Sequence, residues 1–110
     1  MIKKSDIIIS VGLDAENVPV EMAWAAIGQS EQQPCKAMLL SLFDEDTKDT
    51  LKIDLWTTDM QIGEMDRFFY QTLRGLADTY MRATKNKDLA NDMQKFADYF
   101  GEKVELIAKK

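Results

Sequence analysis

The side chains that most often catalyse reactions are scarce in this chain of 110 residues. It contains no histidine, which removes the commonest general base and the commonest transition-metal ligand. Its single cysteine, Cys35, follows Pro34 and has no histidine to activate it, so we interpret it as a structural thiol. One cysteine also cannot build a structural zinc site. The sequence therefore predicts no catalytic residue, no metal ligand and no cofactor.

Acidic residues offer the remaining candidates for chemistry. The run "DEDTKDTLKIDL" begins like a calcium-binding loop at Asp44, but Lys48 occupies its fifth position and Leu55 the twelfth, where a bidentate glutamate is required. A carboxylate pair such as Asp54 with Asp59 needs an apolar pocket to shift a pKa, and nothing in the sequence places the pair in one. We expect a solvated turn in this run and a protein that is not an enzyme.

The distribution of charge limits the classes of partner. The net charge is −5, and residues 1–60 hold five lysines against eleven acidic residues, a net charge of −6. No basic stripe compensates for this excess, so we expect neither nucleic acid nor an anionic membrane as a partner. No apolar run approaches the ~20 residues of a membrane span. With one cysteine and no signal peptide pattern, we expect a soluble cytoplasmic protein without membrane insertion.

Four stretches before residue 60 have the pattern of strands. Alternating apolar residues favour a strand in each, and the second is bounded by Pro19 and Gly28 although its alanines also suit a helix. The polar segment "GQSEQQPCK" is interpreted as a connection, and "DAENVP" after the first stretch as a turn. The four stretches are "DIIISVGLD", "VEMAWAAI", "KAMLLSLFD" and "TLKIDLWT".

From Ile62 onward the apolar period changes to that of helices. Asp59 is a candidate cap for the first helix, and Asn86 for the second. Gly75 lies inside the first helix, where we expect it to allow close approach to the sheet or to the second helix. The two apolar stripes comprise Met65, Phe69, Leu73, Leu76, Tyr80 and Ala83, and then Leu89, Met93, Phe96, Phe100, Val104 and Ile107.

The order β-β-β-β-α-α predicts an α+β fold. We expect a single domain over residues 1–110, with a strand half (1–60) and a helical half (61–110). The strands would form a four-stranded antiparallel meander, with the two C-terminal helices packed on one face.

The other face of that sheet is too apolar for a solvated surface, which indicates an interface. The alternative is that the N-terminus or the loop near Cys35 covers it. The candidate interface residues are Phe43, Leu39, Trp56, Ile8 and Ile27.

The chain also resembles the gliding-motility protein family GldC, small proteins of the Bacteroidetes. The likeness lies in "LKIDLWT", "DM", "EM", "FF", "QTL", "LADT" and "RAT" of residues 51–84, and near the start in "KKSDI", "LDAENVP" and Trp24. It spans nearly the whole chain, but Gln61 stands where a proline is expected and residues 25–35 depart from the pattern. The resemblance implies a cytoplasmic accessory protein linked with gliding, and no family catalytic residues.

Three functions remain open at this level. The first is a non-catalytic accessory protein that acts through the apolar sheet face, as a homodimer or with proteins of the gliding or secretion machinery. The second is an acidic secretion chaperone that holds an export client on that face. The third is an enzyme of unrecognised type.

Overall fold

The structure, a computed structural model, describes residues 2–26, 28 and 31–108. It is an α+β protein, as predicted, and it divides into two compact units, residues 1–60 and residues 61–110. The division falls where the apolar period changes from strand to helix. The elements are β1 (Ile7–Leu13), β2 (Pro19–Ala26), β3 (Gln33–Cys35), β4 (Ala37–Phe43), β5 (Thr50–Trp56), α1 (Ile62–Thr84) and α2 (Lys87–Lys103).

The predicted four-stranded meander is wrong, because the described strands form two antiparallel sheets. One has the order β1-β2-β3 and the other pairs β4 with β5. The segment interpreted as a connection contains the short strand β3, in which Pro34 lies opposite Ala23 of β2. β3 therefore takes the edge of β2 that the meander assigned to β4. Proline fits there because an edge strand has one side with no ladder hydrogen bond to donate.

The three-stranded sheet holds the most buried apolar side chain of the strand unit. Val11 of β1 and Cys35 of β3 both lie opposite Met22, which is buried. Because successive side chains alternate between faces, Ile9 and Trp24, themselves a cross-strand pair, share the face of Met22. This face is the apolar side of the sheet.

Aspartates fix two of the turns in the strand unit. Asp14 accepts hydrogen bonds from the backbone N–H groups of Glu16 and Val18 after β1. Asp44 accepts them from the N–H groups of Asp46 and Thr47 between β4 and β5. These Asx-type bonds hold the turns that the sequence predicted at both places.

The two helices form a unit with their own caps. α1 begins at Ile62 as predicted, but Asp59 does not cap it: Gln61 is the N-cap and its N–H donates to Glu64 Oε1 (3.0 Å). A proline at position 61 would lack that N–H. Asn86 caps α2 as predicted, and its side chain accepts the N–H of Leu89.

Small residues occupy the most buried positions of the helical unit. They are Ala77 on α1 and Ala90, Ala97 and Gly101 on α2, joined by the ring of Tyr70. Larger members of the predicted stripes remain exposed: Phe69, Leu76, Leu89 and Phe96. The prediction that the helices cover one face of the sheet stays a prediction.

Candidate protein interface

The pairing of β4 with β5 creates two faces of different composition. Residues directly opposite each other share a face, and the register pairs Met38 with Leu55 and Leu40 with Ile53. This first face is entirely apolar, the composition of a surface that a folded protein covers, although Leu42 and Leu51 on it are 51% and 59% exposed. Its members are Met38, Leu40, Leu42, Leu51, Ile53 and Leu55.

The second face, here called the aromatic face, combines large apolar and polar side chains. Its members are Ala37, Leu39, Ser41, Phe43, Thr50, Lys52, Asp54 and Trp56. Phe43 is 68% exposed and Trp56 is 56% exposed, whereas Leu39 is partly covered. Trp56 lies opposite Ala37, six residues before Phe43, so the two aromatic positions are separated by about 20 Å along the strands.

Polar side chains fill the centre of the aromatic face. Lys52 Nζ lies 3.2 Å from Ser41 Oγ, its cross-strand neighbour, and 3.3 Å from Asp54 Oδ1. All three side chains are on the surface, so these contacts contribute little to stability. They place hydrogen-bond donors and acceptors between the two aromatic residues.

A hydrogen-bonded junction after β5 holds the Trp56 end of this face. Thr57 is 2% exposed, and its N–H donates to the Lys36 carbonyl oxygen (2.8 Å) just before β4 begins. Its hydroxyl lies 2.5 Å from Asp59 Oδ1 and 3.3 Å from the Lys36 carbonyl, and the shorter contact takes the single proton. Thr58 N–H donates to the Pro19 carbonyl (3.2 Å), which ties β5 to the start of β2.

The junction also changes the acidity of a side chain. The hydrogen bond from the Thr57 hydroxyl lowers the pKa of Asp59, and the Lys36 ammonium, 3.9 Å from Asp59 Oδ2, lowers it further. Sequence reasoning assigned Asp59 to the helix cap and missed this role. The available signal was the run "WTTD", because threonine and aspartate after a strand often bond locally to the backbone or to each other.

The structure groups some of the sequence-predicted interface residues and separates others. Leu39, Phe43 and Trp56 share the aromatic face. Ile8 is exposed on the other sheet, on the face where small residues such as Ser10 and Ala25 lie. Ile27 lies outside the described residues. Sequence reasoning did not include Trp24, which is 41% exposed beside Ile9.

Other features that bear on function are a thiol, possible metal ligands and possible membrane-spanning helices. Cys35 is a partly buried free thiol in β3. Within residues 2–26, 28 and 31–108, no three Cys, Asp or Glu residues are grouped to hold a metal ion. In the same ranges, no helix has both the length and the apolar character needed to cross a membrane.

The fold and this surface define a small α+β protein that presents an aromatic strand surface to solvent. The chain belongs to the GldC-like family: the family model, described as "Gliding motility-associated protein GldC-like", matches residues 19–106. The resemblance seen in the sequence is thereby confirmed. Comparison with curated proteins and with solved structures gave no match.

Proposed function

We propose that this GldC-like chain is a non-catalytic, cytoplasmic accessory protein that binds another protein through its aromatic face. The observation that carries the proposal is the exposure of Phe43 and Trp56 at opposite ends of one face, with the Lys52 group between them. Aromatic residues are enriched at protein interfaces relative to the rest of the surface, whereas an entirely apolar face is the composition of a core.

The spacing of the anchors suits a binding surface of ordinary size. A specific interface covers about 800 Å² on each partner, a patch about 30 Å across. Two rings about 20 Å apart fit within such a patch. Truncation of an aromatic hot-spot residue to alanine costs about 2 kcal/mol or more of binding free energy, so the loss of either anchor should be measurable.

Charge narrows the class of partner. The strand half has a net charge of −6, and Lys52 has its own acidic neighbour, Asp54. A partner surface with apolar pockets and a basic rim complements this arrangement and associates faster at low salt. The family description names gliding motility, which favours a protein of the gliding machinery as that partner.

A second candidate, an acidic secretion chaperone, is favoured by one further observation. Trp24 and Ile8 are exposed on opposite faces of the three-stranded sheet, which does not include β4 or β5. A chaperone holds an unfolded client at several separate apolar points, whereas a folded partner needs one continuous patch. The two functions differ in the state of the bound protein, which the following experiment distinguishes.

The test is capture of partners from a gliding bacterium that encodes this chain. Phe43→Ala and Trp56→Ala are compared with Ile62→Ala, which also removes an exposed apolar side chain, 84% exposed, but from α1. We expect the first two variants to lose a folded gliding or secretion protein that the wild type and Ile62→Ala retain. Cells carrying Phe43→Ala and Trp56→Ala together should spread less on agar than cells carrying Ile62→Ala.

The outcomes separate the candidates. Capture of folded machinery that depends on Phe43 and Trp56 supports the accessory role. Capture of unfolded export precursors, lost also on substitution of Trp24, supports the chaperone instead. Equal capture by all variants contradicts both uses of the aromatic face.

A further inference from the structure

β1 is an edge strand without the usual protection. Among the described residues it pairs with β2 alone, so one of its edges is unpaired. Natural edge strands are protected by charged residues, prolines or short length, but β1 contains seven residues, "IIISVGL", with no charge and no proline. Ile7 is 72% exposed, and Ile8 and Leu13 are more than half exposed. Such an edge is a template for another strand.

The charges that flank β1 indicate which strand it accepts. Lys3 and Lys4 precede the strand, and Asp14 and Glu16 follow it. An antiparallel copy of the same strand runs in the opposite direction, so it places its basic end beside the acidic end of the first. A two-fold axis repeats this match at both ends, which makes the edge self-complementary.

Symmetry and charge together select the register. With a two-fold axis perpendicular to the sheet, opposed residues must share a face, so the axis passes through a residue of β1. An axis at Ile9 places Lys4 opposite Asp14 of the second copy. An axis one residue later, at Ser10, pairs Lys4 with Glu16 but also places Asp6 opposite Asp14, and like charges directly opposite are destabilising.

We propose that β1 pairs antiparallel with β1 of a second copy of this chain, centred on Ile9. The product is a six-stranded sheet with the order β3-β2-β1-β1-β2-β3. In that register Ile7 of one copy lies opposite Val11 of the other, on the apolar face that also carries Met22 and Trp24. The dimer thus joins the apolar faces of two three-stranded sheets into one. This contact goes beyond the proposed function and uses a different strand.

Cysteine cross-linking measures the register directly. In a Cys35→Ser background, Ile9→Cys places a thiol on the axis, opposite its own copy. A disulfide requires Cα atoms closer than about 7 Å, so Ile9→Cys should form about tenfold more covalent dimer than Ser10→Cys, whose copies lie diagonally apart. A mixture of Ile7→Cys and Val11→Cys chains should form the mixed disulfide, and each variant alone should form much less.

Sedimentation of the uncross-linked protein completes the test. We expect a dimer for the wild type, and a monomer for Ile9→Lys because two introduced ammonium groups meet on the axis. Ile62→Lys, with the same change at an exposed helix position, should remain a dimer and so controls for added charge. A monomeric wild type, or equal cross-linking at positions 9 and 10, overturns the proposal. Phe43→Ala should leave the dimer intact, because Phe43 is not in β1. Loss of partner binding through the aromatic face and loss of the β1 dimer can therefore be measured independently.

Discussion

The ring of Tyr70 in α1 lies directly against Gly101 in α2. A Cβ atom added at Gly101 would come within 2.6 Å of Tyr70 Cε1 and 3.1 Å of Ile107 Cγ1. Both Tyr70 and Gly101 are buried, and Arg74 lies over the tyrosine ring (5.8 Å from guanidinium carbon to ring centroid). The absence of a side chain at Gly101 thus sets how closely the two helices approach.

Two identical substitutions should therefore have opposite effects. Gly101→Ala forces the Tyr70 ring to move, and overpacking of this kind costs about 1–3 kcal/mol. Gly75→Ala meets nothing within 4 Å and removes the helix penalty of glycine, so it should stabilise the protein by about 0.5–1 kcal/mol. Urea unfolding followed by circular dichroism measures both. Equal effects of the two substitutions would contradict the packing described for Tyr70.

Removing the Thr57 hydroxyl should raise the pKa of Asp59. Thr57→Val keeps the shape of the side chain and the backbone bond to Lys36 but removes the donor to Asp59. The pKa of Asp59 should then rise toward its ordinary value, because the hydroxyl is the largest cause of its depression. The free energy of unfolding should also fall, because a hydrogen bond of the folded state is lost. NMR titration of the carboxyl groups measures this pKa. An unchanged value in Thr57→Val would show that the Thr57 hydroxyl does not lower the pKa of Asp59.

The turn between β4 and β5 should weaken in acid. Backbone N–H groups of Thr47 and Asp46 lower the pKa of Asp44, so the folded pKa lies below the unfolded one. The stabilisation is present above the unfolded pKa, about 3.9, and is lost as the pH falls through the folded pKa. Asp44→Asn removes the titrating group, so the variant should lose less stability than the wild type between about pH 5 and pH 2. Equal losses of stability in the wild type and in Asp44→Asn would show that Asp44 does not contribute to the acid sensitivity.

Local chemistry explains the parts of the fold that the sequence predicted. The start of α1 at Ile62 and the cap at Asn86 follow from nearby side chains and from the change in apolar period. The turn aspartates Asp14 and Asp44 act within four residues of themselves. Such features are visible along the chain because the interacting groups are close in sequence.

Features that depend on distant residues were missed. The segment "QPC" is too short to show alternation, and only the edge of β2 makes it a strand. Gly75 was expected to allow close approach, whereas Gly101 does so, because the position of Tyr70 decides which glycine is covered. The sequence predicted Leu39, Phe43 and Trp56 on one face together with Ile8, but Ile8 lies in the other sheet, because hydrophobic pattern alone does not fix which strands pair.

The central claim is that Phe43 and Trp56 anchor a protein partner, and calorimetric titration of that partner tests it most directly. Using the purified protein captured from the gliding host, we expect each alanine substitution to raise the dissociation constant about 30-fold, which corresponds to about 2 kcal/mol per anchor. Ile62→Ala should leave it unchanged. Equal dissociation constants for the wild type and for the variant with both anchors replaced would contradict the claim.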